Sequence, residues 1–196
     1  MANEAEKTLH EMQQVLTIDA NGVYETEEDK AELLWHELQN AYRSKRILSG
    51  VLSGVEETSS GSIAVVYYKG QRMIIPVSEM ELNLSEQNGY GEMKGRQVRI
   101  LNNMVGCEID FILIALDDTA RSVVASRRLA MLAKRRKFYF PNENGNAQIT
   151  EGRVVQARVI AVAEKVVRLE VFGAECAVPA RDIAWEWVGD AREKYH

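Results

Sequence analysis

The chain offers little for catalysis and more for holding anions. Its three histidines, His10, His36 and His196, are scattered. No serine, cysteine or aspartate is spaced to form a nucleophile–base pair or a metal site with them. Gly50-Val-Leu-Ser-Gly54 has the glycines of a phosphate loop but lacks its lysine, which excludes that mode of nucleotide binding. Cys107 and Cys176 lie in apolar, strand-like runs and read as small core residues. No enzymatic activity, metal or cofactor is therefore expected. What remains is cationic. Residues 119–142 hold seven bases and no acid. Such a run either coats a solvated helix face or holds phosphate oxygens.

The net charge of −5 hides a partition. Residues 1–41 carry ten acids and two bases, residues 42–140 ten acids and fifteen bases, and residues 141–196 nine acids and seven bases. A basic middle inside an acidic chain permits an anionic partner. No apolar stretch approaches the length of a membrane span. The opening Met-Ala-Asn-Glu-Ala-Glu is acidic and lacks the apolar core of a signal peptide. The chain is expected to be cytoplasmic.

The elements that would position these cations follow from periodicity. Residues 1–25 are polar and acidic and read as weakly ordered. Thr26, followed by Glu27, Glu28 and Asp29, reads as a helix start, and Leu34, Leu38, Ala41 and Tyr42 continue an amphipathic helix to about Lys45. Strands are expected at about Arg46–Glu56, Gly61–Lys69 and Arg72–Pro76. A helix from Gly89 to Met104, closed by Gly106, comes next. Strands at Glu108–Leu116 and Arg121–Ala125 flank the turn Asp117-Asp118-Thr-Ala. Ser126 caps a basic helix to about Lys137, and residues 127–148 comprise this helix and a linker.

A repeat organises the rest. Ile63 to Met80 and Val166 to Ile183 share an apolar run, a Gly, a short strand, a Pro and an acid, with Gly70 and Pro76 matching Gly173 and Pro179 at a constant offset of 103. This implies two copies of one small β unit, the first at 46–126 and the second at 149–196. The second ends with a helix expected over 182–195, where Trp185 and Trp187 would pack in the core or between units. Arg168 and Glu170 alternate with Val167, Leu169 and Val171, so the charged pair is expected to face water. By the same offset Val65 and Tyr67 face out and Ala64, Val66 and Tyr68 face in. Val51, Val66, Ile74, Ile109, Phe111 and Val124 are the expected core.

Several residues then resemble a known family. Pro76-Val-Ser-Glu-Met80, Gly106-x-Glu-Ile-x-Phe111, Asp117/Asp118, Arg121 and Val123-Val-Ala-Ser-Arg127 resemble the S-one RNA-binding domain, named after a ribosomal protein. Residues 149–196 resemble the first half of the same domain. More narrowly, the chain looks like the N-terminal part of the multi-module S-one-domain proteins of low-GC Gram-positive bacteria and their mobile elements. The resemblance implies a mainly β fold with helices: tandem OB-folds, each a five-stranded antiparallel barrel, the second truncated after its third strand. It also implies single-stranded RNA as partner, with single-stranded DNA as the variant of that chemistry. The family binds on the face of strands two and three, edged by the loop before strand five. Asp118 and Arg121 match the contact residues of that loop. The family's paired Phe residues fall here on Ser59–Ile63 and its frequent His on Pro76, so a weak or altered binder is expected.

The expected interface is Tyr67, Lys69, Arg72, Asp118, Arg121, Arg127 and Arg128, with Tyr67 as a displaced stacking platform. The competing reading is a protein-interaction adaptor without RNA affinity. It would associate with itself or another protein through the N-terminal helix or the incomplete second unit. Neither reading involves a membrane.

Overall fold

The computed structural model describes residues 26–59, 61–82, 90–143, 145–186 and 188–195. The expectation for residues 1–25, and that for Trp187, lie outside the described residues. The chain divides into two compact units, one up to Trp35 and one from His36 onward.

The first helix, α1 (Glu27–Ser44), starts where the sequence places it. The Thr26 hydroxyl accepts from the Asp29 N–H at 3.1 Å, and the Asp29 carboxylate accepts from the Thr26 N–H at 3.0 Å. This reciprocal cap satisfies two otherwise orphaned donors. Lys45, with φ of 52°, ends the helix in a left-handed residue, and the Arg46 N–H donates to the Ala41 carbonyl at 3.1 Å.

Five strands follow, interrupted by one helix: β1 (Leu48–Thr58), β2 (Gly61–Tyr68), β3 (Gln71–Pro76), α2 (Tyr90–Asn103), β4 (Glu108–Asp117) and β5 (Ser122–Ser126). They close into a barrel in the order β1-β2-β3-β5-β4. Four of its pairings are antiparallel. The fifth joins β3 to β5 in parallel through Ile74 and Val124, which corrects the expectation of an all-antiparallel barrel. Closure depends on β1 serving two ladders: Leu48 to Val51 pair with β4, and Val51 onward pairs with β2. Gly50 sits at that crossing. A Cβ there would lie 2.7 Å from the Tyr67 carbonyl oxygen and 2.9 Å from Val66, so only glycine fits. The core alternates along each strand: Ala64 and Val66, Met73 and Ile75, Ile109, Phe111 and Leu113, Val123 and Ala125.

That phase corrects part of the expected core. Val66, Ile109 and Phe111 are buried, but Val51 is 47% exposed. Ile74 and Val124 are only half-buried. Leu52, not Val51, stands opposite the inward Val66, and a bulge between Leu52 and Gly54 shifts the rest of β1 by one residue. Tyr67 is exposed as expected, whereas Val65 is buried. Val65 belongs to a lateral row with Ile74 and Val124, apolar neighbours that cover one another.

Helix α3 (Arg127–Tyr139) follows β5 directly, with Ser126 accepting from the Leu129 N–H at 3.1 Å as its cap. A second sheet, in the order β6-β7-β8, contains β6 (Arg158–Ala163), β7 (Val166–Val171) and β8 (Ala174–Pro179). Its hairpin reproduces that of the barrel residue for residue. Ile63 pairs with Pro76 and Tyr68 with Gln71, just as Val166 pairs with Pro179 and Val171 with Ala174. Both turns hold two residues at positive φ, Lys69 and Gly70, then Phe172 and Gly173. That conformation suits the twist of a tight hairpin. The bulge recurs too, between Val159 and Ala161. Each hairpin ends in a short 3-10 turn, Val77–Glu79 and Ala180–Asp182.

The helix expected over 182–195 is not formed among the described residues there, which make turns and one short 3-10 segment, Ala191–Glu193. Gly189 disfavours a helix interior, and the Asp190 carboxylate holds the Arg192 N–H at 2.9 Å in a local turn. Val167, Ala180 and Ala191 form a small core there, with Ile183, Val188 and Tyr195 packed on it. Trp185 is fully exposed, against the expectation of packing. No described helix is long and apolar enough to cross a membrane.

Candidate nucleic-acid interface

The outward side of β1, β2 and β3 presents one cross-strand row: Val51 pairs with Tyr67, and Tyr67 with Arg72. Paired side chains on one face stand about 5 Å apart. Tyr67 is 45% exposed and so offers an aromatic surface between an aliphatic and a cationic neighbour. The β2–β3 turn adds Lys69 at the end of the hairpin. The β4–β5 turn carrying Asp118 and Arg121 is tied to the same end, because Gln71 Nε2 donates to the Arg121 carbonyl at 3.2 Å. Asp117 shapes that turn by accepting the N–H groups of Thr119 and Ala120, each at 2.9 Å. The structure therefore brings together Tyr67, Lys69, Arg72, Asp118 and Arg121.

It does not bring in the other two. Arg121 precedes β5, and Arg127 and Arg128 follow it, which separates them by about 17 Å of extended strand. Arg127 is also wholly buried: its Nη1 donates to the Met80 carbonyl at 2.9 Å and approaches Glu175 at 3.5 Å. A buried guanidinium cannot meet a phosphate, so Arg127 leaves the expected set. Arg128 is half exposed but grips Glu79 with two donors, at 2.8 and 3.3 Å.

Carboxylates also engage the cations that do reach the face. Lys69 pairs with Glu37 of α1 at 2.7 Å, and Arg72 with Glu56 at 2.7 Å. The Lys69 ammonium, with Tyr68 and Arg46, holds the Glu37 carboxyl below its ordinary range despite some burial. The Tyr68 phenol moves up, first through burial and then through its bond to Glu37 at 2.8 Å. Asp118 accepts from Gln39 at 2.9 Å. Through Glu37 and Gln39, α1 thus touches both turns that border the face. Such exposed pairs are weak, typically below about 1 kcal/mol, so a polyanion can displace them.

The basic helix α3 plays a part that charge counting misses. Lys134 contacts Asp110 of β4 at 2.5 Å and also Glu170 of β7. Arg158 of β6 meets Asp110 at 2.9 Å. Asp110 and Glu170 are both almost fully buried, so the expectation that Glu170 faces water is corrected: its counter-charges lie inside the fold. Burial alone would raise the Asp110 carboxyl, but hydrogen bonds from Lys134, Ser49 and Arg158 outweigh it and hold the group below its ordinary range. Arg135 adds a bond to the Gly173 carbonyl at 3.0 Å and a pair with Glu81 at 2.5 Å. The helix therefore fastens the barrel to the second sheet, and only Arg136 and Lys137 of its cations are exposed without a carboxylate in these pairings. The signal was present in the strands: acids at positions 110 and 170 interrupt runs that otherwise read as buried.

The cysteines also depart from expectation. Cys107 is partly buried, which pushes its thiol up, and Cys176 is exposed on β8. Among the described residues no group of three or more His, Cys, Asp and Glu is placed to hold a metal ion. No protein-family model matches the chain, and no curated protein is significantly similar to it.

Proposed function

We propose that the chain binds single-stranded RNA through an OB-type barrel of the S-one kind, followed by the first half of a second such module. The observation that carries this reading is the exposed Tyr67 between Val51 and Arg72, on the face bordered by the Lys69 and Arg121 turns. One base stacks on Tyr67, and the neighbouring phosphates take Arg72, Lys69 and Arg121. The shared hairpin register and bulge of the two sheets support the tandem assignment. Single-stranded DNA offers the same stacking surface and charge, and the 2′-hydroxyl alone would separate the two. The work of such a protein lies in translation or RNA metabolism, in the cytoplasm, and needs neither cofactor nor catalysis.

A second reading, a protein-interaction module, is favoured by one observation: Lys69 and Arg72 are already paired with Glu37 and Glu56. Fluorescence anisotropy with labelled single-stranded RNA separates the two. Binding that weakens in Tyr67→Ala supports the RNA reading. Absence of binding at low salt supports the adaptor.

A further inference from the structure

A pocket of about 240 Å³ opens where α3 meets the second sheet. Lys134 of α3, Gln156 and Ala157 ahead of β6, Arg158 of β6, Glu170 of β7 and Phe172 of the β7–β8 turn line it. One polar atom in its wall is left unused by the charge network. The Glu170 side chain is 2% exposed. Its Oε1 accepts from Lys134 and from the Gly173 N–H at 3.2 Å, but its Oε2 accepts no hydrogen bond from any described residue. Arg158 Nη1 stands 3.9 Å from Oε2, too far for one. Buried acceptors are nearly always bonded, so an unmet one in a pocket wall marks a place for a donor. The pocket is far larger than the roughly 30 Å³ that a water molecule takes up in the liquid.

We infer that this pocket holds a neutral nucleobase of the uracil type, whose ring N–H donates to Glu170 Oε2; the inference needs no binding at the Tyr67 face. Charge selects a neutral ligand. Lys134 and Arg158 are set against the buried Asp110 and Glu170, and the largely exposed Glu108 adds only a 3.8 Å contact to Arg158. Neither a further cation nor an anion is called for. Shape selects a small planar ring. Phe172 packs on Phe138 with 4.5 Å between ring centroids, which fixes it as a flat apolar wall. The volume is below the roughly 300–1,000 Å³ of sites that enclose drug-sized ligands. Edge chemistry selects uracil. The unmet acceptor lies between two cations, Lys134 on the Oε1 side and Arg158 beside Oε2, and each has N–H groups beyond those already bonded. Uracil has the complementary edge, one N–H between two carbonyl oxygens. Cytosine carries its donor at one end of that edge, adenine offers no carbonyl, and guanine brings a second donor against a cation.

The test is a titration of the unaltered full chain with uridine, read from backbone amide shifts in two-dimensional NMR. The amides of Glu170, Phe172 and Gly173 should move. N3-methyluridine lacks the donor and should bind at least about tenfold more weakly. Cytidine, adenosine and guanosine should also bind more weakly than uridine. Phe172→Leu removes the ring and should weaken uridine binding by about tenfold. Glu170→Met removes the acceptor and should abolish the shifts. Circular dichroism checks that both variants fold, and the comparison of uridine with its methyl derivative needs no altered protein. An oligouridylate separates the sources of the ring. Shifts with uridine show that a free nucleoside suffices, whereas shifts at these amides with the oligouridylate alone make the occupant a base within a strand; either result supports the pocket. Equal binding of uridine and N3-methyluridine, or tighter binding of another nucleoside, would overturn the inference. So would shifts confined to the Tyr67 hairpin, which would leave the barrel-face reading intact.

Discussion

Replacing Lys134 with methionine should uncouple the two halves of the His36–His196 unit. The Lys134 ammonium lies 2.5 Å from Asp110 and also contacts Glu170, and these two carboxylates are 6% and 2% exposed. Without the ammonium they share one guanidinium, Arg158, which is 2.9 Å from Asp110 and 3.9 Å from Glu170. Breaking a buried pair on one side costs about 3–5 kcal/mol, because an uncompensated charge stays in the interior. Urea denaturation followed by circular dichroism reads that loss. Hydrogen exchange should show residues 158–179 losing protection before the barrel does. Replacing Glu170 with methionine in the same chain leaves the Arg158–Asp110 pair and should recover at least half the loss. The pH dependence has a defined sign. In the parent, the Asp110 carboxyl is lower in the folded than in the unfolded chain. Its stabilisation is therefore present above the unfolded value of about 3.9 and lost as the pH falls through the folded one. In the methionine variant the orphaned carboxylate prefers its proton, so the deficit is largest at neutral pH and narrows toward about pH 4. A loss below about 1 kcal/mol, independent of pH, would refute the claim that these charges form an interior network.

Other outcomes follow from the same geometry. Tyr67→Ala should weaken RNA binding by about 1–3 kcal/mol in anisotropy while leaving the urea midpoint nearly unchanged, since the ring is exposed. Arg127→Ala should do the reverse, lowering the unfolding free energy by about 2–5 kcal/mol, and the urea midpoint with it, through a buried cavity and a disrupted pair with Glu175. The matched turn glycines separate strain from collision. Gly70→Ala meets open space at φ of 86° and should cost about 1–2 kcal/mol in thermal or urea melts. Gly173→Ala, at φ of 95° and with its Cβ 2.4 Å from the Met131 carbonyl oxygen, should cost clearly more.

The strand order, the turns and the repeat at an offset of 103 were legible because they rest on local signals: alternation, paired turn residues and a proline ending each hairpin. The basic helix was legible as a helix but not as a clamp. Charge counting treats Lys134 and Arg135 as a surface run, whereas their partners, Asp110, Glu170 and Glu81, come from three distant segments. The core phase of Val51, Ile74 and Val124 was misread for a related reason. A bulge at one residue, and a parallel pairing that periodicity does not reveal, decide which parity faces inward. At the interface, Tyr67, Lys69 and Arg72 are legible through the hairpin, and Asp118 and Arg121 through the resemblance. Arg127 was misplaced because a residue directly after a strand reads as surface until the second sheet is laid over it.

The central claim, that the barrel face binds single-stranded RNA, is tested most directly by one titration of the unaltered chain and Tyr67→Ala across about 50 to 200 mM salt. Three phosphate contacts at Lys69, Arg72 and Arg121 predict a slope of about −2 in log affinity against log salt. The alanine variant should bind about tenfold more weakly with the same slope, because it loses a stacked base and no charge. No binding at the lowest salt, or equal binding by the two chains, would contradict the account.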